Sequence, residues 1–181
     1  MRTSFKIRAA TEADIPVLQK LIERSGIALS AGFYTPEQAH AVTREVFGVD
    51  SQLIRDGTYF AIEDESRIVA CGGWSKRLTP YGGDKHKAAP DRLLIPATEP
   101  AKIRAFFVDP GMERRGLGSM LMQHCTEHAL AAGFTSLELT ATMPGVPLYT
   151  AHGFVPVHDL SLSLAGGQVT VALVLMRKAI R

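Results

Sequence analysis

With 181 residues, the chain is long enough for one full hydrophobic core and too short for two ordinary domains, so one domain over residues 1–181 is expected. Twenty Lys and Arg against 18 Asp and Glu leave a formal charge of +2, and no basic run interleaved with aromatics occurs, which argues against a nucleic-acid binder. Cys71 and Cys125 lie in apolar segments without CxxC spacing and read as reduced core thiols, with no disulfide or metal site. Residues 1–6 carry no apolar run of leader length, and every apolar stretch is broken well short of about eighteen residues. A cytoplasmic protein without membrane contact is expected.

Phe5 and Ile7 alternate with Lys6 and Arg8, the period of a strand with one buried face. Thr11 then caps a helix whose first turn carries Glu12 and Asp14 and whose apolar stripe is Ile15, Leu18, Leu21 and Ile22. Residues 25–34 form a glycine-containing loop with an aromatic tip, Phe33-Tyr34, which either faces a ligand or packs locally. Thr35-Pro36-Glu37-Gln38 repeats the helix-start signal and predicts a second helix ending near Gly48, with a short third helix over 51–55.

Residues 58–63 and 67–75 read as two strands joined by the polar turn Asp64-Glu65-Ser66. Segment 76–99, rich in Pro, Gly and charge, is longer than most connections; it should either cover a binding site or meet a partner, and Leu93-Leu94-Ile95 is a candidate paired piece inside it. A strand over 102–108, a helix over 115–132 stopped by Gly133, and a strand over 136–140 make a β-α-β unit, whose strands should be parallel with a right-handed crossover. A short helix over 147–151, a strand over 154–160, a turn at 165–168 and a strand over 169–176 complete the chain.

Between the fourth strand and its helix, Gly116 and Gly118 present no side chain to keep a phosphate from the orphan N–H groups of the first helical turn. Arg114 and Arg115 offer charge-assisted bonds to the same anion. The alternative is a tight turn packed closely on the sheet. No Gly-Lys-Ser/Thr is present to make a P-loop, and the residues before Gly-x-Gly do not match the dinucleotide fingerprint.

Phe107-Val108-Asp109-Pro110, Arg114-Arg115-Gly116-Leu117-Gly118-Ser119, Gly133-Phe134 and Leu148-Tyr149-Thr150-Ala151-His152-Gly153-Phe154 together resemble the GNAT superfamily of acyl-CoA-dependent N-acetyltransferases. The order of elements over residues 5–177 matches as well. The resemblance implies an α+β fold with a twisted, mixed, mostly antiparallel sheet flanked by helices, and splayed parallel strands at the CoA site. It implies acetyl-CoA as cosubstrate, with main-chain groups at Phe106, Phe107 and Val108 holding pantetheine. Arg114, Arg115, Gly116, Leu117, Gly118 and Ser119 would wrap the pyrophosphate. One departure is Glu113, where the family usually has Gln or Arg; a carboxylate there repels phosphate unless it turns to solvent or finds a partner. A homodimer is also suggested by the resemblance.

Acetyl transfer from sulfur to an amine by direct attack needs a neutral amine, a stabilised oxyanion and a proton for the leaving thiolate. By resemblance Tyr149 is the general acid, and the N–H near Phe107 or Val108 polarises the thioester carbonyl; no metal is implied. The base is not identified. Glu138, Glu99 and Asp109 read first as solvated or structural carboxylates, His152 lies three residues past Tyr149, and His124 and His128 lie on the pyrophosphate helix. The acceptor, a small-molecule primary amine, would enter over 26–35 and part of 76–99. Phe33, Tyr34, Trp74 and Tyr81 are candidates for an aromatic wall, against the alternative that each is ordinary packing, and Arg77 or Arg104 either holds an acceptor carboxylate or is surface charge. The competing readings are a non-catalytic acyl-CoA-binding regulatory or interaction module and a cofactor-free oligomerisation domain.

Overall fold

A computed structural model describes residues 5–79, 81–86 and 89–181. Its strands are β1 (Lys6–Ala9), β2 (Tyr59–Asp64), β3 (Arg67–Ser75), β4 (Ala101–Val108), β5 (Ser136–Thr142), β6 (Val155–Leu164) and β7 (Val169–Ala179). Its α-helices are α1 (Ile15–Ala28), α2 (Pro36–Glu45), α3 (Ser51–Arg55), α4 (Leu117–Ala131) and α5 (Val146–Ala151). The strands form one sheet in the order β1-β2-β3-β4-β5-β7-β6, antiparallel throughout except for the β4–β5 pair. This is the mixed, mostly antiparallel α+β sheet expected, with the β-α-β unit at its centre. Among the described residues no helix is long and apolar enough to cross a membrane.

Local signals account for the helix starts. Thr35 Oγ1 accepts the Gln38 N–H at 3.2 Å while the Gln38 side chain accepts the Thr35 N–H at 3.0 Å, a reciprocal cap on α2. At the first helix, the Thr11 N–H and hydroxyl both donate to Asp14, itself paired with Arg8 at 2.8 Å, so a short 3-10 turn precedes α1. α2 stops at Glu45, short of the expected Gly48, and the Phe47 N–H closes back on Val42 O at 3.0 Å. α4 starts at Leu117 rather than Arg115 because Gly116, at φ 82°, cannot continue a right-handed helix.

Strand alternation divides the interior. On β2, Phe60 and Ile62 join the core under α4, whereas Tyr59 and Ala61 join the core under α1. α4 commits Leu117, Leu121, Met122, Cys125 and Ala129 to the former, at about 2 kcal/mol for each fully buried leucine. A third cluster packs α2 residues Ala39 and Val42 on Val169 and Val171 of β7. In the long excursion, Leu78 N–H meets Arg92 O at 3.1 Å and Leu94 N–H meets Lys76 O at 2.8 Å, so the expected paired piece is present. Residues 80, 87 and 88 of that excursion, and residues 1–4 of the expected N-terminal reading, lie outside the described residues.

Two departures from regularity shape the centre of the sheet. Gly73 opposes Arg104 but Cys71 opposes Phe107, so β4 carries one extra residue opposite Gly72. Ala105 takes the bulge at φ 51°, and Phe106 swings to the α4 side, its Cδ1 2.4 Å from where a Cβ on Gly72 would stand. Phe107 remains on the α1 side. In addition, β4 and β5 pair only at Ala101↔Leu137 and Lys102↔Glu138 before they diverge.

Candidate active site

The divergence of β4 and β5 opens a cleft of about 90 Å³. Residues Ile103 to Phe107 of β4 form its base, Thr140, Thr142 and Leu173 one wall, and Val46, Phe47, Gly48, Tyr81 and Gly82 the other, with Tyr149 lining it as well. Ligands collect where parallel strands part because no cross-strand bonds close the gap.

Tyr149 lies on α5 with its ring over Gly145, where a Cβ would come within 2.7 Å of Cε2. The ring packs 6.3 Å from Phe106 and 6.0 Å from Phe154, centroid to centroid. Burial pushes the phenol well above its usual range, and the nearby Cys125 adds to the shift, so Tyr149 is protonated at neutral pH. Among the described residues its hydroxyl makes no hydrogen bond, leaving the proton available to a ligand.

The expected amide donors on β4 are engaged. The Asp109 N–H bonds to Val69 O at 2.8 Å, and antiparallel alternation then puts Phe107 in a hydrogen-bonded pair with Cys71. The Val108 N–H, facing away from β3, donates to Ser25 Oγ at 3.3 Å. The β4 main chain that lines the cleft between the paired positions is the bulge itself, Ala105 and Phe106.

Beyond β4 the chain turns through Gly111 (φ 89°), Arg114 (φ 61°) and Gly116 (φ 82°) into α4. The first intrahelical bond is from Met120 N–H to Gly116 O at 2.9 Å, so the N–H groups of Leu117, Gly118 and Ser119 have no acceptor within the helix. Arg114, Arg115, Gly116 and Ser119 are exposed; the Leu117 side chain is in the core, so only its main chain is available to a ligand. Glu113 Oε2 accepts the Gly111 N–H at 2.7 Å, which turns this carboxylate back onto its own loop. Gly118 is a close-approach position, but against α5 rather than the sheet: a Cβ there would lie 3.0 Å from Leu148 Cδ2.

None of the carboxylates and histidines weighed as a base lines the cleft. Glu138 is bonded to Lys102 and Arg177, and Asp109 to Arg24 at 3.0 Å. Arg92 holds Glu99 down to about 2. His152 Nε2 lies 2.9 Å from Ser119 Oγ, beside a second hollow along α4 that includes Gly116 and Lys178. His124 and His128 pack on Phe60 at 4.4 and 5.0 Å.

Of the four candidate wall aromatics, only Tyr81 lines the cleft. Trp74 is in the core against Phe134, Phe33 is exposed, and the Tyr34 hydroxyl donates to Ala172 O at 2.6 Å while accepting the Met143 N–H at 3.1 Å. Both candidate arginines are committed to partners, Arg77 half-buried and Arg104 buried. Arg77 makes a two-pronged pair with Asp56 at 2.7 and 2.9 Å, and Arg104, 3% exposed, bonds Asp50 at 3.1 Å. Phe47, which sequence reasoning missed, lines the cleft and packs edge-on to Phe107 at 5.0 Å. The one sequence signal was an aromatic between the end of a helix and a glycine.

The acetyltransferase (GNAT) family model matches residues 28–154, which hold the glycine turn, Tyr149 and every residue lining the cleft except Leu173. The chain belongs to this family. A GCN5-related N-acetyltransferase from Rhodopseudomonas palustris superposes with a TM-score of 0.71 at 18% identity, with 99% of each chain covered. The PaiA N-acetyltransferase from Thermoplasma acidophilum, solved in complex with coenzyme A, gives 0.64 at 14% identity over 98% of this GNAT chain and 99% of its own. The putative acetyltransferase YncA from Salmonella typhimurium, solved with acetyl-CoA, gives 0.64 at 12% identity over 98% and 95%. A sequence search of curated proteins returns no match.

Proposed function

We propose that this GNAT protein moves an acetyl group from acetyl-CoA to a primary amine of a small molecule by direct attack. The observation that carries the reading is the confinement of β4–β5 pairing to two rungs, with Tyr149 lining the gap that follows. The residues present fit the cosubstrate: a gap between parallel strands suits an extended arm, and three helix-start amides without intrahelical partners suit a pyrophosphate. Neighbours of the same fold were solved with coenzyme A and acetyl-CoA, which supports the same choice here.

Bound acetyl-CoA supplies a thioester whose acyl carbon is open to an uncharged amine. Leu117, Gly118 and Ser119 bind the diphosphate through their N–H groups, and exposed Arg114 and Arg115 add charge. Ala105 and Phe106, at the bulge in the base of the cleft, would hold the arm. Phe106 and Phe154 pack around Tyr149 and limit water there, and Tyr149 Oη holds the proton that the departing sulfur requires. Among the described residues lining the cleft there is no cysteine, serine or histidine to make an activated nucleophile, which accords with direct attack.

Calorimetric titration with acetyl-CoA, with free CoA as control, followed by a thiol-release assay over an amine panel, tests the reading. Saturable binding with amine-dependent thiol release is the expected result. Binding without release from any amine would favour a non-catalytic acyl-CoA-binding module, and no binding would remove both.

A further inference from the structure

The acceptor side of the cleft has a distinctive chemistry. Phe47 reaches it from the end of α2 and Tyr81 from the long excursion, facing Leu173, Thr140 and Thr142 across the gap. Arg104 is the only Asp, Glu, Lys, Arg or His side chain among the described lining residues. Its guanidinium is buried and bonded to Asp50 at 3.1 Å, to Thr79 O at 3.3 Å and to Gly82 O. A substrate carboxylate would therefore meet a buried cation already paired with Asp50 and with three of its bonds spent on protein oxygens, beside aromatic rings that solvate no anion. A substrate ammonium would find no carboxylate among the described lining residues.

Neighbouring contacts place the segments that carry the two rings. The carbonyls that Arg104 grips, at Thr79 and Gly82, flank Tyr81 in the chain, so the strand at the base of the cleft also holds the segment that carries this ring. Phe47 is set by its edge contact with Phe107 and by Gly26, where a Cβ would lie 2.7 Å from Phe47 Cδ2. Two positioned rings opposite an aliphatic and two hydroxyls suit a flat or bulky apolar group.

We infer that the acceptor is a monoamine on an apolar body that bears no second charge, received between Phe47 and Tyr81 and attacking as the free base. This rests on the acetyl-transfer reading above. In the step, the amine nitrogen forms a bond to the acyl carbon as the carbon–sulfur bond breaks. The nitrogen loses one proton to solvent, the sulfur takes the Tyr149 proton, and the phenolate recovers one from water.

The test compares 2-phenylethylamine, phenylalanine and spermidine by thiol release, alongside calorimetry with acetyl-CoA. The first shares its ring with the second, which adds a carboxylate, and the third is polycationic. The expected result is a kcat/KM for 2-phenylethylamine about tenfold or more above either competitor. Phe47→Ala and Tyr81→Ala should each raise its KM about tenfold with acetyl-CoA affinity unchanged. Preference for phenylalanine or spermidine, or acetyl-CoA binding without turnover of 2-phenylethylamine, overturns the inference and leaves cosubstrate binding standing. Failure to bind acetyl-CoA overturns both.

Discussion

Lys102 and Glu138 are partners in the last rung between β4 and β5, and their side chains close an ion pair across that rung. Arg177, opposite Glu138 on β7, donates its Nε to the other carboxylate oxygen at 2.9 Å. One carboxylate thus ties three strands where backbone pairing ends and the cleft begins. The fork is fixed by side-chain charge as well as by register.

Replacing Glu138 with Gln should therefore cost stability and loosen the mouth of the fork. The loss leaves Lys102 nearly buried without its counter-charge, at about 3 kcal/mol, measured by urea unfolding at pH 7. Burial alone would raise the Glu138 pKa, but hydrogen bonds from Lys102 and Arg177 outweigh it and hold the group below the usual carboxylate range. A depressed carboxylate contributes stability in full above its unfolded value of about 4.3 and loses it as pH falls through the folded value. The wild type should weaken below that point, and the Gln variant, lacking the contribution throughout, should show a shallower acid limb. An equal acid limb in both would place the acid sensitivity elsewhere.

The parts of this molecule that were legible in sequence are those made by neighbours in the chain. The cap at Thr35 and Gln38, the glycine turn into α4 and the β-α-β order all depend on short spacings. The bulge at Ala105 was not legible, because it exists only through the register of β4 against β3. Arg104 resembled a surface charge because its partner, Asp50, is 54 positions away. For Tyr34 and Trp74 residue type left wall and packing both open, and only contacts with β7 and Phe134 decide for packing. Phe47 reached the cleft because Gly26 lets α1 and the end of α2 approach closely, a relation no local pattern contains.

The two cysteines should be silent toward thiol reagents in the native protein. Both are fully buried; burial pushes Cys71 up to about 12 despite a 3.3 Å bond from the Tyr59 hydroxyl, and raises Cys125 as well. Because the thiolate is the reactive form, maleimide should modify neither at pH 7 until denaturant is added, when both should react. Fast native labelling of Cys125 would mean that α4 opens from the sheet, and would undo the description of its buried face.

Tyr149→Phe keeps the ring against Phe106 and Phe154 and removes only the hydroxyl. Saturated kcat should fall about a hundredfold with acetyl-CoA affinity unchanged. Because burial raises the phenol above its ordinary value of about 10, the wild type should show no alkaline loss from this group up to about pH 9. A variant with wild-type kcat would assign the proton to another donor.

Gly116 and Gly118 should fail in different ways when substituted. Gly116 has open space around it but holds φ 82°, so Gly116→Ala strains the loop by about 1–2 kcal/mol and disturbs the amides that follow. Acetyl-CoA affinity should drop about tenfold, with kcat retained at saturation. Gly118 has ordinary helical backbone, but even a Cβ there would press Leu148 Cδ2 at 3.0 Å, and Leu148 precedes Tyr149 on α5. Gly118→Val presses on the Leu148 side chain and through it on α5, so both affinity and saturated kcat should fall. Calorimetry and saturation kinetics on the two variants separate these outcomes. A Gly118→Val enzyme that folds and retains kcat would show that the α4–α5 contact does not set the position of Tyr149.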